Sequence, residues 1–166
     1  APGVPEKLGE TADSAQVAAA LGLRPQDLGP GPFEAWSAGF PVLVVPLPGL
    51  AALARCRPAG PMPQGPARGL YPVAGTGGDG MQARMFAPGE GIAEAAATGS
   101  AAVAFAGWLA ARGGLARGTH RRRIRQGAEM GRPGLIGLEF DIGDSGLAAV
   151  RIAGTAVTVM RGELTA

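Results

Sequence analysis

Apolar residues along this chain fall in short runs separated by glycine and proline, and the runs alternate between two kinds. Residues 33–37 alternate apolar and polar positions, as a strand does. Residues 41–47 are rich in Val and Leu, as a second, more buried strand would be. Further strands are predicted at 69–74, 82–86, 121–126, 135–142, 147–152 and 155–160. Glycine-containing turns at 143–146 and 153–154 suggest antiparallel hairpins. Short helices are predicted at 15–21, capped by Asp13 or Ser14, and at 49–55 after Pro48. Residues 57–68 and 87–97 read as irregular, and residues 75–80 as a flexible turn. Residues 1–12 read as an irregular lead-in to one domain spanning 13–166.

One element breaks the amphipathic rule. Residues 99–112 have helical composition and end at Gly113 and Gly114, yet positions 101–109 (AAVAFAGWL) leave no polar face. A helix that is apolar all round must be buried all round. In a chain of 166 residues only the strands can enclose it. The expected fold is therefore α+β: a curved, mostly antiparallel sheet wrapped around a buried central helix at about 99–112.

Composition narrows the functional classes. The chain has 29 glycines and 15 prolines, but they punctuate apolar runs and so argue for tight turns, not disorder. The net charge is only +2, and Lys7 is the only lysine, so a nucleic-acid partner is not expected. The basic run 120–125 contains the only histidine, His120, and has no interleaved aromatics. It fits a strand with one solvated face better than a single-strand-binding surface. A single cysteine, Cys56, excludes an intrachain disulfide. Neither a signal peptide nor a membrane span is expected, which places the chain in the cytoplasm. No Cys/His spacing suits zinc. The segment 75–80 lacks the Lys-Ser/Thr ending of a phosphate loop.

Candidate chemistry gathers where the irregular segment enters the buried helix. The first N–H groups of a helix have no intrahelical acceptor, and the helix dipole adds partial positive charge there. Gly99 allows close approach of a ligand to the backbone, and Thr98 and Ser100 add hydroxyls. The three together suit a carboxylate. Thr98 as an ordinary N-cap is the competing reading.

The order of motifs around that point resembles the PhzF family of phenazine-biosynthesis-like proteins. Arg84-Met85-Phe86-Ala87-Pro88, then Gly91-Ile92, then Glu94-Ala95-Ala96-Ala97-Thr98-Gly99-Ser100-Ala101 is similar to the family's R-x-F-x-P, G-I and E-D-P-A-T-G-S-A. Gln126-Gly127-Ala128-Glu129-Met130-Gly131-Arg132-Pro133 is similar to its Q-G-x-x-M-G-R-P. Upstream, 19–23 and 37–41 match A-L-G-L and S-x-G-x-P. The resemblance implies the C-terminal half of a two-part fold shared with diaminopimelate epimerase. Each half is a sheet around one helix, with the site between the halves. It implies isomerase or epimerase chemistry: proton transfer on a small carboxylic acid, with no cofactor and no metal. It also implies that Gly99 and Ser100 hold the substrate carboxylate, with Thr98 preceding them.

Two departures qualify the resemblance. The family's Asp is Ala95 here, and alanine cannot move a proton. Glu94 is adjacent and is a weak candidate to replace it. The family's principal base, a Glu in the other half, has no counterpart in this sequence. The chain alone is therefore expected to be inactive, and to pair with a complementary N-terminal half or with a second copy. The alternative is a degenerate, non-catalytic binding domain that keeps only the carboxylate pocket. Cys56 invites comparison with the thiol acid/base pairs of related epimerases, but its place after a short helix favours a buried, inert thiol.

Overall fold

The computed structural model describes residues 4–11 and 13–163. Eight strands form one sheet in chain order: β1 (Glu6–Thr11), β2 (Phe33–Ser37), β3 (Pro41–Pro46), β4 (Gly69–Gly77), β5 (Gly80–Ala83), β6 (Gly118–Gln126), β7 (Gly134–Gly143) and β8 (Gly146–Ala153). Neighbours pair antiparallel except β3 with β4 and β5 with β6, which run parallel. A parallel pair needs a crossover, and each of these has a helix in it. Helix α2 (Leu50–Arg55) joins β3 to β4, and α3 (Gly99–Ala111) joins β5 to β6. The remaining helix, α1 (Ser14–Ala20), begins at Asp13, whose carboxylate accepts the N–H groups of Ala15 and Gln16.

The all-apolar pattern of α3 has the predicted consequence. Residues Ala101 to Gly107 are buried throughout, and α3 packs against β1, β2, β3, β7 and β8. Small side chains set how closely the sheet can approach. A Cβ at Gly107 would lie 2.5 Å from the Trp36 ring of β2 and 2.9 Å from Pro5, so only glycine lets this wall close on the helix. The inner core joins Ala101, Ala102 and Phe105 to Val42 and Val44, Tyr71 and Val73, Ile124, and Ile136, Leu138 and Phe140. A second core lies on the outer face, where α1 and α2 cover Leu43, Val45, Phe33 and Leu70. Residues of β3 thus alternate between two buried faces, the physical reason its sequence is continuously apolar.

The structure corrects the sequence reading in four places. The lead-in is not wholly irregular, because residues 6–11 form edge strand β1; residues 1–3 and 12 lie outside the described residues. The turn expected at 75–80 is tighter, since β4 and β5 run to Gly77 and from Gly80. The strand predicted at 82–86 ends at Ala83, and beyond it Phe86 makes only an isolated bridge to Leu70. The strand predicted at 155–160 is absent: residues 154–163 have no secondary structure and are exposed.

Candidate functional site

The segment leading into α3 is held by two buried polar side chains. Arg84 makes a two-pronged ion pair with Glu94: Nε donates to Oε1 at 2.8 Å and Nη2 to Oε2 at 2.7 Å. Its remaining nitrogen, Nη1, donates to the carbonyls of Leu53, Ala54 and Cys56, the last at 2.6 Å. The guanidinium thereby satisfies the C-terminal carbonyls of α2 and stacks over Phe86. Hydrogen bonding to Glu94 raises the Arg84 pKa further above its ordinary value. Both oxygens of Glu94 are engaged and largely buried. The geometry therefore removes Glu94 as a free acid/base and makes it a structural anchor.

Gln126, at the end of β6, fixes the other side. It is fully buried, and its amide N–H groups reach Ala95 O at 2.8 Å and Thr98 Oγ1 at 3.0 Å. The next residue, Gly127, has φ +79°, and a Cβ there would strike the carbonyl oxygens of Arg132 and Ala96. Glycine is required on both counts. The Arg132 N–H closes the turn onto Gly127 O at 2.9 Å. The two motif segments, 94–98 and 126–134, are thus locked edge to edge.

This lock has an effect on the helix start. Thr98 is the N-cap residue of α3, yet its side chain makes no capping hydrogen bond. Its hydroxyl instead accepts from Gln126. The first intrahelical bond runs from Ala102 N–H to Thr98 O, so the N–H groups of Gly99, Ser100 and Ala101 precede any helical acceptor. Gly99, the first of them, lines a cleft of ≈ 540 Å³ together with Pro133, Gly134, Leu135, Ile152 and Thr155. Ile152 of β8 overhangs Gly99: a Cβ on Gly99 would lie 2.6 Å from the Ile152 methyl. Leu135 and Ile152 are both exposed, at 62% and 46%. The site therefore combines backbone donors and a helix dipole with an apolar rim, which suits a carboxylate on an apolar body.

The predicted residues separate clearly. Thr98, Gly99 and Ser100 lie at this helix start, with Gly99 lining the cleft. Ala95 packs its methyl against the inner core, with its N–H bonded to Met85 O at 2.9 Å. Cys56 is buried with its Sγ 3.5 Å from Ala52 O, and burial pushes its thiol up to about 12. His120 lies within β6, where Nε2–H donates to Ala116 O at 2.7 Å and the ring stacks on Phe140. Among the described residues no group of three or more His, Cys, Asp or Glu could hold a metal ion, and no helix is long and apolar enough to cross a membrane. Sequence reasoning missed the positioning roles of Arg84 and Gln126. Both stood inside the matching motifs, which was the available signal.

Comparison with known proteins bears on this arrangement. The family model for phenazine biosynthesis-like protein (PhzC-PhzF) matches residues 1–162. An uncharacterized isomerase of Mesorhizobium japonicum is 36% identical over 97% of this chain and 58% of its own length. A trans-2,3-dihydro-3-hydroxyanthranilate isomerase of Pseudomonas chlororaphis is 40% identical over half of this chain and 30% of its own length. Among solved structures, a PhzF-family phenazine biosynthesis protein of Bacillus anthracis superposes with TM-score 0.75 at 19% identity. That match covers 92% of this chain and 55% of the other. A predicted epimerase of Pseudomonas aeruginosa superposes with TM-score 0.63 at 24% identity, covering 96% and 57%. The chain thus spans a little over half the length of the relatives it matches most fully.

Proposed function

The chain belongs to the phenazine biosynthesis-like protein family, and on that footing we propose that it supplies the carboxylate-holding half of an isomerase or epimerase. The substrate class is a small carboxylic acid with an apolar or ring-bearing body, and the chemistry is cofactor-independent proton transfer. The observation that carries this reading is the uncapped start of α3 at the cleft, where Thr98 is turned to Gln126 and leaves the helix donors free. A carboxylate seated there accepts from the N–H groups of residues 99–101 and from the Ser100 hydroxyl. Leu135 and Ile152 cover its apolar side. Holding the carboxylate against positive dipole charge stabilises the negative charge that builds on it when a neighbouring C–H is deprotonated.

The proton itself needs another group. Ala95 has no titratable atom, and Glu94 is tied to Arg84. On this reading the base and acid come from a complementary half facing the cleft, in a cytoplasmic setting. A second reading is favoured by the same two residues: a binding domain that has kept the pocket and lost the chemistry.

Calorimetric titration with 3-hydroxyanthranilate as the probe carboxylate tests the site. Binding that weakens with Ser100→Ala supports it, and a heat of binding indifferent to Ser100 removes the pocket. Proton NMR in deuterium oxide then separates the two readings. Exchange at a substrate carbon, in the presence of a complementary half, supports the isomerase. Binding without exchange under the same conditions supports the second reading.

A further inference from the structure

Much of the cleft at the start of α3 is walled by backbone and short side chains, among them Ala97, Gly134, Ala153 and Gly154. One longer apolar side chain in its lining reaches over the helix itself. Strand β8 turns alternate residues toward α3. Val150 lies opposite Phe140 and Ile152 opposite Leu138, and both of those partners are buried, so Val150 and Ile152 share the inner face. Val150 packs against the inner core. Ile152, the next residue on that face, reaches the first residue of the helix and is 46% exposed. Its Cδ1 fills the space that a side chain at position 99 would take: a Cβ on Gly99 would lie 2.6 Å from it. Ile152 is thus apolar, half free of protein contact, and placed against the residue that opens the row of helix donors.

We propose that Ile152 is a specificity-determining residue of this cleft: its Cδ1 methyl limits the bulk that a bound acid carries on the carbon next to its carboxylate. This inference rests on the reading of the helix start as a carboxylate site. A carboxylate that accepts from the Gly99 N–H puts its next carbon one bond further out, beside the group that overhangs Gly99. An unbranched or flat carbon slides under the methyl. A carbon bearing two extra substituents meets it. The surrounding wall does not make room, because Ala97, Ala153 and the two glycines have no longer side chain to withdraw. For the same reason no neighbour fills the space when the methyl is removed. Apolar pockets separate ligands that differ by one methylene by about 10- to 200-fold. A half-exposed side chain reaches only part of that, since water relieves some of the crowding.

Calorimetric titration of the full chain with two acids tests this. Hydrocinnamate and its α,α-dimethyl derivative share a carboxylate and an apolar ring, and differ only by methyl groups on the carbon next to the carboxylate. The parent chain is expected to prefer the unbranched acid by about fivefold. Ile152→Val deletes the Cδ1 methyl and nothing else, and should lower that preference by about twofold or more. Ile152→Ala should bring the two acids close to parity. Melting temperatures check that both variants fold as the parent does, and Ile152→Val carries the test if the alanine variant does not. Ser100→Ala separates this inference from the reading beneath it: it should weaken both acids together and leave their ratio unchanged. A parent without the preference, or a preference that survives both substitutions at 152 while binding stays sensitive to Ser100, overturns the role of Ile152 and leaves the pocket standing. Binding that is absent, or indifferent to Ser100, overturns both.

Discussion

Two of the molecule's arginine–carboxylate clusters do different work. Around the helix start, Arg84 and Glu94 are 9% and 14% exposed and are surrounded by main-chain acceptors and an aromatic ring. On the outer face of β6–β8, Arg121, Glu139, Arg151 and Asp141 form a chain of ion pairs as short as 2.6 Å. Their side chains are 30–72% exposed. By distance alone the second group looks equally strong. Water decides otherwise: exposed pairs gain little, whereas a buried pair leaves an uncompensated charge when one partner is removed. The same side-chain chemistry therefore fixes a loop in one region and decorates a surface in the other.

The comparison would break first at Arg84. Arg84→Ala should destabilise the fold by about 3–5 kcal/mol, read by urea denaturation, since Glu94 and the end of α2 lose their partner together. A loss no larger than that of a surface variant would mean water already reaches the pair. Gly127→Ala attacks the same lock from the other side. A left-handed residue with a Cβ costs about 1–3 kcal/mol in backbone strain alone, and the facing carbonyls of Arg132 and Ala96 add to it. Its melting temperature should fall clearly below that of Gly131→Ala, which is also left-handed but faces open space.

Ser100→Ala sharpens the contrast between holding the loop and using it. Stability should hardly change, while carboxylate binding weakens by about 1 kcal/mol, and by up to about 3 if the hydrogen bond is charge-assisted. Calorimetry and a urea curve on one preparation separate the two effects. The smallest effect is expected at Arg151→Ala, within the error of a denaturation curve at neutral pH and moderate salt. Its signature is in acid. Hydrogen bonding to Arg151, and secondarily to Arg121, lowers Glu139, and hydrogen bonding to Arg151 lowers Asp141. Carboxyls lowered in the fold contribute stability above their ordinary values of about 4, and it is lost as the pH falls through the lowered ones. The variant should therefore show a shallower decline of melting temperature below about pH 4. An unchanged acid limb would show that these pairs contribute nothing.

Legibility from sequence followed the range of the interactions. The enclosure of α3 was readable because a helix without a polar face has one physical solution, and β2 was placed to the residue by its alternation. Strand β1 was missed because Glu-Lys-Leu-Gly-Glu-Thr carries no such pattern; it is a strand only through its pairing with β2, some 25 residues away. The opposite error occurred at 155–160, whose β-branched composition suggests a strand but whose backbone joins no ladder among the described residues. At the candidate site, local rules placed the start of α3 at Thr98, Gly99 and Ser100, where the helix begins. The positioning roles of Arg84 and Gln126 were not legible, because partners 10 and 28 residues distant leave no pattern of spacing, only the motifs in which the two residues stand.

The unanswered donors at the start of α3 also make this protein its own reporter. Any anion that docks there supplies the cap that Thr98 withholds, and it binds the folded chain but not the unfolded one. Binding and folding are thereby linked: an occupant present at a hundred times its dissociation constant adds about 2.7 kcal/mol to stability. A plain melting screen across small carboxylic acids would rank them by affinity for this helix start. Thr98→Asp, which brings its own charge to those N–H groups, should flatten the ranking.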